Sequence, residues 1–93
     1  GRQEHLARRV TDWLKNEART HILKTARTKA LQIGQDFGRV TIRDTKTRWG
    51  SCSSNGNLNF SWRLIFTPDF VFDYVVSHEI AHLREHNHGS EFW

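Results

Sequence analysis

The sequence predicts an α+β fold, and three patterns predict it. Apolar residues recur at helical spacing over residues 3–33, residues 39–66 alternate in polarity on either side of an Asn-Gly pair, and a second helical segment begins at Pro68. We expect residues 1–93 to form a single domain, trimmed from a longer protein. Because the core of so short a chain is small, a bound metal would add usefully to its stability.

Composition limits the cellular setting and the partners. No apolar run reaches the ~18 residues of a membrane span, so we expect no membrane-embedded part. Cys52 is the single cysteine, which rules out an internal disulfide and fits a reducing compartment, so we expect a cytoplasmic location. Residues 1–48 hold twelve of the fourteen Lys and Arg but only five of the ten acids. Such a basic half indicates a nucleic acid or another acidic partner, and the alternative is a solvated helix face.

The first element is predicted to be a long N-terminal helix over residues 3–33. Leu6, Val10 and Trp13 begin its apolar series, and basic residues fill much of the remainder. Threonines lower helix propensity, so a break near Thr20 is one alternative. Gly34 is the predicted stop, since glycine readily adopts the left-handed backbone that ends helices.

The middle of the chain is predicted to form a small antiparallel sheet. Residues 39–44 alternate as a strand, and residues 45–54 run extended into the Asn-Gly pair at 55–56, which is a strong hairpin signal. Residues 58–66 alternate again, with one apolar face. A two-residue turn would pair Trp49 with Trp62, and would place Trp49, Ser51 and Ser53 over that apolar face.

The last element is predicted to be a helix from Pro68 to about Glu85. Thr67 fits the N-cap position, and proline is favoured at the first helical position. The helix is apolar nearly all round, so we expect it to lie buried inside the domain, with Tyr74 in the core.

This helix carries the pattern H-E-x-x-H at His78, Glu79 and His82. Two histidines four residues apart share one helix face, so both imidazoles can reach one metal ion. Glu79 is rotated about 100° from His78, from where its carboxylate can take a proton from water at an open coordination position. The alternatives are two structural histidines hydrogen-bonded in the core, or a purely structural metal site.

A third ligand is expected downstream of His82. His86 continues the four-residue spacing, but on an unbroken helix it lies about 12 Å in rise from His78, too far for one ion. His88 lies between Asn87 and Gly89, which tolerate the backbone of a turn, and it follows His82 at the six-residue offset of the metzincin signature. We therefore predict His88 as the third ligand, with His86, Glu91 or a residue beyond Trp93 as alternatives.

Three motifs together give the chain a specific resemblance. They are RWGSC at residues 48–52, HEIAHL at 78–83 and NHGSEFW at 87–93, where the known pattern has leucine for Ile80 and serine for Gly89. The chain resembles the YgjP-like predicted metal-dependent hydrolases and, more distantly, the SprT and WLM zinc metallopeptidases. The match is dense from about residue 41 onward. The resemblance implies a zincin-like fold with a helix–sheet–helix core, ligands His78, His82 and His88, and Glu79 as catalytic base.

The RWGSC stretch also suggests how a substrate would bind. In zincin-like proteases an edge strand beside the metal binds peptide by strand addition, and residues 49–54 are a candidate for that strand. Trp49, Gly50 and Ser51 would contact the substrate, Gly50 permitting close backbone approach, and Arg48 would hold a carboxylate or the oxyanion. The alternative is that Trp49 and Cys52 only pack the sheet.

The sequence thus predicts a zinc-dependent hydrolase, most plausibly a metallopeptidase with one Zn²⁺ ion and a peptide or protein substrate. Other divalent metals also suit histidine-rich sites. Two alternative functions are a DNA-associated protease like the SprT relatives, supported by the basic half, and a non-catalytic module in which zinc only holds the fold.

Overall fold

The computed structural model describes the backbone of residues 1–88 and the side chains of residues 1–84. This part of the chain is α+β, as predicted, with two long helices and one three-stranded sheet. No helix in it is both long and apolar enough to cross a membrane. The elements in chain order are α1 (Arg2–Gln32), β1 (Val40–Arg43), β2 (Gly50–Cys52), β3 (Leu58–Ser61), a 3₁₀ helix (Trp62–Phe66) and α2 (Asp69–His88).

Helix α1 is unbroken, so the alternative of a break near Thr20 is wrong. Its buried residues are spaced by four and form one stripe, and three of the four are alanines, which let the neighbouring elements approach closely. The Gly34 stop is confirmed. Gly34 has φ 65°, and the next N–H, of Gln35, donates to the Ala30 carbonyl at 3.0 Å.

The first part of α1 lies outside the core. Residues 1–10 are all exposed, and Trp13 is exposed as well, so the apolar series that predicts the helix contributes no buried residue before Ala18. Further along, α1 is joined to the rest of the domain by two polar contacts. Arg19 donates to the Val40 carbonyl of β1 at 2.8 Å, and Lys29 pairs with Asp73 of α2 at 2.8 Å.

The sheet is mixed, with the order β1-β3-β2. Strand β3 lies in the centre, antiparallel to β2 and parallel to β1. The predicted antiparallel sheet is therefore wrong for β1. Alternation of polarity indicates which face of a strand is buried, but it carries no information on strand direction, and here the chain reverses between β1 and β2 and leaves space for β3 between them.

The Asn-Gly hairpin is confirmed, but its register is shifted by one residue. Ser53 donates to the Asn57 carbonyl at 2.9 Å, and Gly56, with φ 81°, donates to the Ser53 carbonyl at 3.0 Å. The loop therefore contains three residues rather than two, a common form with a left-handed final glycine.

This shift exchanges the two faces of β2. Gly50 lies opposite Phe60 and Cys52 lies opposite Leu58, so the predicted pairing of Trp49 with Trp62 is wrong. Gly50 and Cys52, instead of the predicted Trp49, Ser51 and Ser53, share the face of the buried side chains of β3.

The second strand of the hairpin, β3, also ends earlier than predicted. It stops at Ser61, and residues 62–66 form the 3₁₀ helix instead of continuing the strand. The Ser61 hydroxyl accepts a hydrogen bond from the Arg63 N–H at 3.2 Å, which caps the first turn. Leu64 of this helix is fully buried, so its side chain reaches the core although the backbone there is not extended.

Helix α2 buries only one face, so the predicted burial all round is wrong. Val76, Glu79, Ile80 and Leu83 are buried, whereas the opposite face, which includes His78, is open. The open face also carries the large side chains of Phe70 and Tyr74, but α1 and β2 cover only the other face. Its backbone is described as helical through His88, past the predicted end near Glu85.

Candidate metal centre

An open cleft of about 610 Å³ lies between β2 and the exposed face of α2. Strand β2 is at an edge of the sheet, so one side of its backbone has no partner strand in the described part of the chain. The cleft brings together every predicted site residue whose side chain is described. Its lining consists of Arg48, Trp49, Gly50, Ser51, Cys52, Tyr74, Val75, His78, Glu79 and His82.

His78 and His82 converge at the floor of this cleft. Their Nε2 atoms are 3.2 Å apart, and their rings are nearly perpendicular, with an interplanar angle of 87°. His78 is exposed and His82 is half-buried, so neither lies in the hydrophobic core. The four-residue spacing on α2 causes this convergence, because it places the two side chains one turn apart on one face.

Glu79 lies between the histidine pair and the sheet. Its side chain is 6% exposed, which makes it one of two buried polar residues among those described. The space it occupies exists because Gly50 has no side chain. A Cβ atom built on Gly50 would come within 3.1 Å of Glu79 Cγ and 2.9 Å of Phe60 Cδ1. Gly50 thus makes room for a carboxylate and a core ring, and close approach of a substrate backbone at Gly50 stays a prediction.

Burial raises the pKa of Glu79 above its ordinary value, because removal from water disfavours the charged form. His78, His82 and Arg48 oppose this rise, since positive charge favours the carboxylate. A buried carboxyl with a raised pKa is a stronger base than an exposed one, which suits a group that takes protons from water.

Cys52 also lines the cleft, where its thiol is kept protonated. Burial, and then the nearby charge of Glu79, raise the pKa of Cys52 to about 11. A nucleophilic thiol must be the thiolate, which is scarce near neutral pH at such a pKa. In the metal-free chain Cys52 is therefore a protonated, weakly reactive thiol.

Tyr74 lies in the cleft and not in the core, so its predicted burial is wrong. Its side chain is 67% exposed and lines the cleft. Its ring stacks on His78, with centroids 6.1 Å apart and an interplanar angle of 26°. The spacing from Tyr74 to His78 to His82 is four residues at each step, so the shared face was readable from the sequence.

The predicted third ligand lies outside the described side chains. His88 is the last residue whose backbone is described, and the side chains of His86, His88 and Glu91 are not described. Among the residues described, no group of three His, Cys, Asp or Glu side chains is arranged to hold a metal ion. Ligation by His88 therefore stays a prediction.

The comparisons with known proteins place the chain in a family. The model of the YgjP-like, metallopeptidase domain family matches residues 1–93. The chain belongs to this family, which confirms the resemblance drawn from its three motifs. Membership indicates a metal-dependent peptidase. No curated protein and no solved structure matched the chain, so the zincin-like core stays a prediction.

Proposed function

We propose that this domain is a zinc-dependent peptidase in which His78 and His82 hold the ion and Glu79 is the general base. One observation carries the proposal. The two Nε2 atoms converge to 3.2 Å in an open cleft, directly beside a buried carboxylate and an edge strand. Family membership supports the metal and the peptidase class.

The histidine pair fits zinc in chemistry and in spacing. Two nitrogens bound tetrahedrally at about 2.0–2.1 Å lie about 3.3 Å from each other, close to the observed separation. When bound, zinc would lower the pKa of a water molecule and polarise the scissile carbonyl. A direct hydrogen bond between the rings is the alternative account of the short distance, and it predicts no metal affinity.

The reaction assigned to Glu79 is a proton transfer. Its carboxylate takes a proton from the attacking water and delivers it to the leaving amine, which departs as a neutral group. Its buried position beside Gly50 holds the carboxylate in place and excludes bulk water from one side. Arg48 lines the same cleft, where its positive charge favours the Glu79 carboxylate and can bind an anionic group of the substrate.

The substrate is assigned to the free edge of β2. An extended peptide adds to an unpaired strand edge through main-chain hydrogen bonds, and here that edge borders the histidine pair. Trp49 and Ser51 also line the cleft and would contact substrate side chains. Gly50 would keep the approach to Glu79 unobstructed.

His88 completes the ligand set only if the chain leaves the helix before it. On a continuous helix, ten residues separate His88 from His78 by about 15 Å in rise, too far for a shared ion. The proposal therefore predicts that zinc shortens α2. Circular dichroism should show a small loss of helix on zinc addition, and His88→Ala should abolish that loss and weaken zinc binding more than His86→Ala does.

The peptidase is tested with Glu79→Gln. The amide fills the same space but accepts no proton, so peptide turnover should fall by about a thousandfold or more, whereas zinc affinity should change little. Glu17→Gln, on α1 away from the cleft, is the matched control and should keep full turnover. If Glu79→Gln retains activity, Glu79 is not the base. If zinc binds but the wild-type domain cleaves no peptide, the ion is structural.

A further inference from the structure

A second cleft of about 390 Å³ adjoins the metal cleft at the beginning of β2. The two clefts share Arg48 and Trp49. A peptide paired along β2 and extending past Gly50 toward Arg48 would therefore pass from one cleft into the other. The remaining lining of the second cleft consists of Thr45, Lys46, Thr47 and Arg63.

The second cleft carries positive charge that the described residues do not neutralise. Arg63 pairs with Asp44, and its guanidinium lies 4.9 Å from the centre of the Trp62 ring. Neither Lys46 nor Arg48 takes part in an ion pair within the described part of the chain. Two cations thus stand beside the substrate path outside the ion pairs of the described residues, and Arg48 is near enough to Glu79 to favour its carboxylate.

Hydrogen bonds fix the backbone of the turn that carries these cations. The Thr45 hydroxyl donates to the Arg48 carbonyl at 2.7 Å and closes the turn that carries Lys46. The Ser61 hydroxyl donates to the Thr45 carbonyl at 3.2 Å, and the Ser61 N–H donates to the Trp49 carbonyl at 2.9 Å, so both ends of the turn are fixed to the sheet. Such ordering lowers the entropy cost of binding an anion.

We propose that Lys46 and Arg48 form an anion subsite that takes a substrate carboxylate close to the cleaved bond. The carboxylate is either an acidic side chain or the C-terminal group of the peptide. Arg48 precedes β2 by two residues, and the first residue of β2, Gly50, lies against Glu79, so the subsite lies beside the end of the strand nearest the base. The proposal rests on the peptidase function and adds the substrate class: peptides acidic within about two to three residues of the cleaved bond.

A single carboxylate fits this subsite better than a nucleic-acid backbone. A phosphate chain needs a row of cations, because its binding depends on neutralising several charges in series. Of the three cations that line the second cleft, Arg63 is paired with Asp44, which leaves Lys46 and Arg48, and Glu79 lines the adjoining cleft. The local charge is therefore suited to one anionic group.

Peptide binding tests the subsite without any need for turnover. The zinc-loaded Glu79→Gln chain is titrated at low ionic strength with three fluorescent peptides: one with central glutamates and an amidated C-terminus, its glutamine counterpart with a free C-terminus, and that counterpart amidated. The first or the second should bind more tightly than the third, and which of them does so identifies the source of the carboxylate. Equal affinity for all three overturns the proposal.

Lys46 variants locate the effect in this cleft. Lys46→Gln should weaken the preferred peptide about threefold and Lys46→Glu about tenfold, leaving the neutral amidated peptide unchanged. Lys24→Gln, which removes an exposed cation of α1, is the matched control and should change nothing. If Lys46→Glu binds the preferred peptide as tightly as wild type, the proposal is overturned. It is also overturned if the domain shows no preference among the peptides but binds oligothymidylate, a nucleic-acid probe, and Lys46→Glu loses that binding.

Cleavage-site profiling separates the subsite from the peptidase function. The zinc-loaded wild-type chain is used to digest a peptide mixture. Acidic residues, or a free C-terminus, should be enriched near the cleaved bonds, and Lys46→Glu should remove that enrichment. Cleavage without the enrichment overturns the subsite and leaves the peptidase intact. Lys46-dependent binding without any cleavage supports the subsite and overturns the peptidase.

Discussion

Replacing Gly50 with alanine should damage both the fold and the proposed base. The added Cβ would lie 2.9 Å from Phe60 Cδ1 and 3.1 Å from Glu79 Cγ, both closer than ordinary van der Waals contact. Gly50 does not have a positive φ, so the backbone itself accepts alanine and the cost is steric. Overpacking of this kind lowers the free energy of unfolding by about 1–3 kcal/mol. For a domain of this size, each ~1 kcal/mol lowers Tm by about 4–8 °C.

Phe60 and Glu79 should respond differently to the added Cβ atom. Phe60 is 1% exposed and surrounded by the core, whereas the Glu79 side chain borders a cleft and can move into it. We therefore expect Gly50→Ala to displace the carboxylate and to reduce peptide turnover at least tenfold even at temperatures where the domain is folded.

Calorimetry and a turnover assay measure the two effects of Gly50→Ala. Ser51→Ala is the control for stability, because no side-chain hydrogen bond of Ser51 occurs among the described contacts, and its Tm should stay near that of wild type. Phe60→Leu combined with Gly50→Ala should recover part of the stability lost in the two single variants. A Gly50→Ala variant with wild-type Tm and turnover would show that this contact does not position Glu79.

Three further predictions concern the core, the thiol and the charge of α1. Leu58→Ala should lower the free energy of unfolding by about 2–5 kcal/mol in urea titrations, since Leu58 is fully buried on the central strand, and a loss under about 1 kcal/mol would mean a looser core. Because the pKa of Cys52 is raised to about 11, the rate of its alkylation by iodoacetamide in the metal-free protein should increase with pH up to that value. A rate profile with its midpoint at the ordinary pKa of 9 would contradict the burial of the thiol. If the basic first half binds DNA, affinity should fall steeply with added salt, and no binding at low salt would exclude a DNA-associated role.

Much of the fold was predictable because its signals are local. The Gly34 stop, the hairpin at the Asn-Gly pair and the helix that begins after Pro68 each depend on a few neighbouring residues. Strand direction and the burial of α2 depend on contacts between segments far apart in the chain. The sequence pattern of β1 is the same for parallel and antiparallel pairing, and the open face of α2 carries the large side chains of Phe70 and Tyr74, which a sequence pattern assigns to the core.

The candidate site was predictable in its residues but not in all its geometry. The H-E-x-x-H spacing fixes the convergence of His78 and His82 because the helix period is constant. The place of Gly50 against Glu79 follows from the hairpin register, which a three-residue loop shifts by one position. A one-residue error exchanges the faces of a strand, so the contact between Gly50 and Glu79 could be found only in three dimensions.

The central claim is that His78 and His82 bind a catalytic zinc ion, and X-ray absorption at the zinc edge tests it most directly. The zinc-loaded domain should show nitrogen or oxygen neighbours at about 2.0–2.1 Å and the outer scattering of at least two imidazoles. In His78→Ala and His82→Ala the imidazole signal should decrease, or zinc should fail to bind. A sulfur neighbour at about 2.3 Å, or an imidazole signal that both variants leave unchanged, would contradict the account.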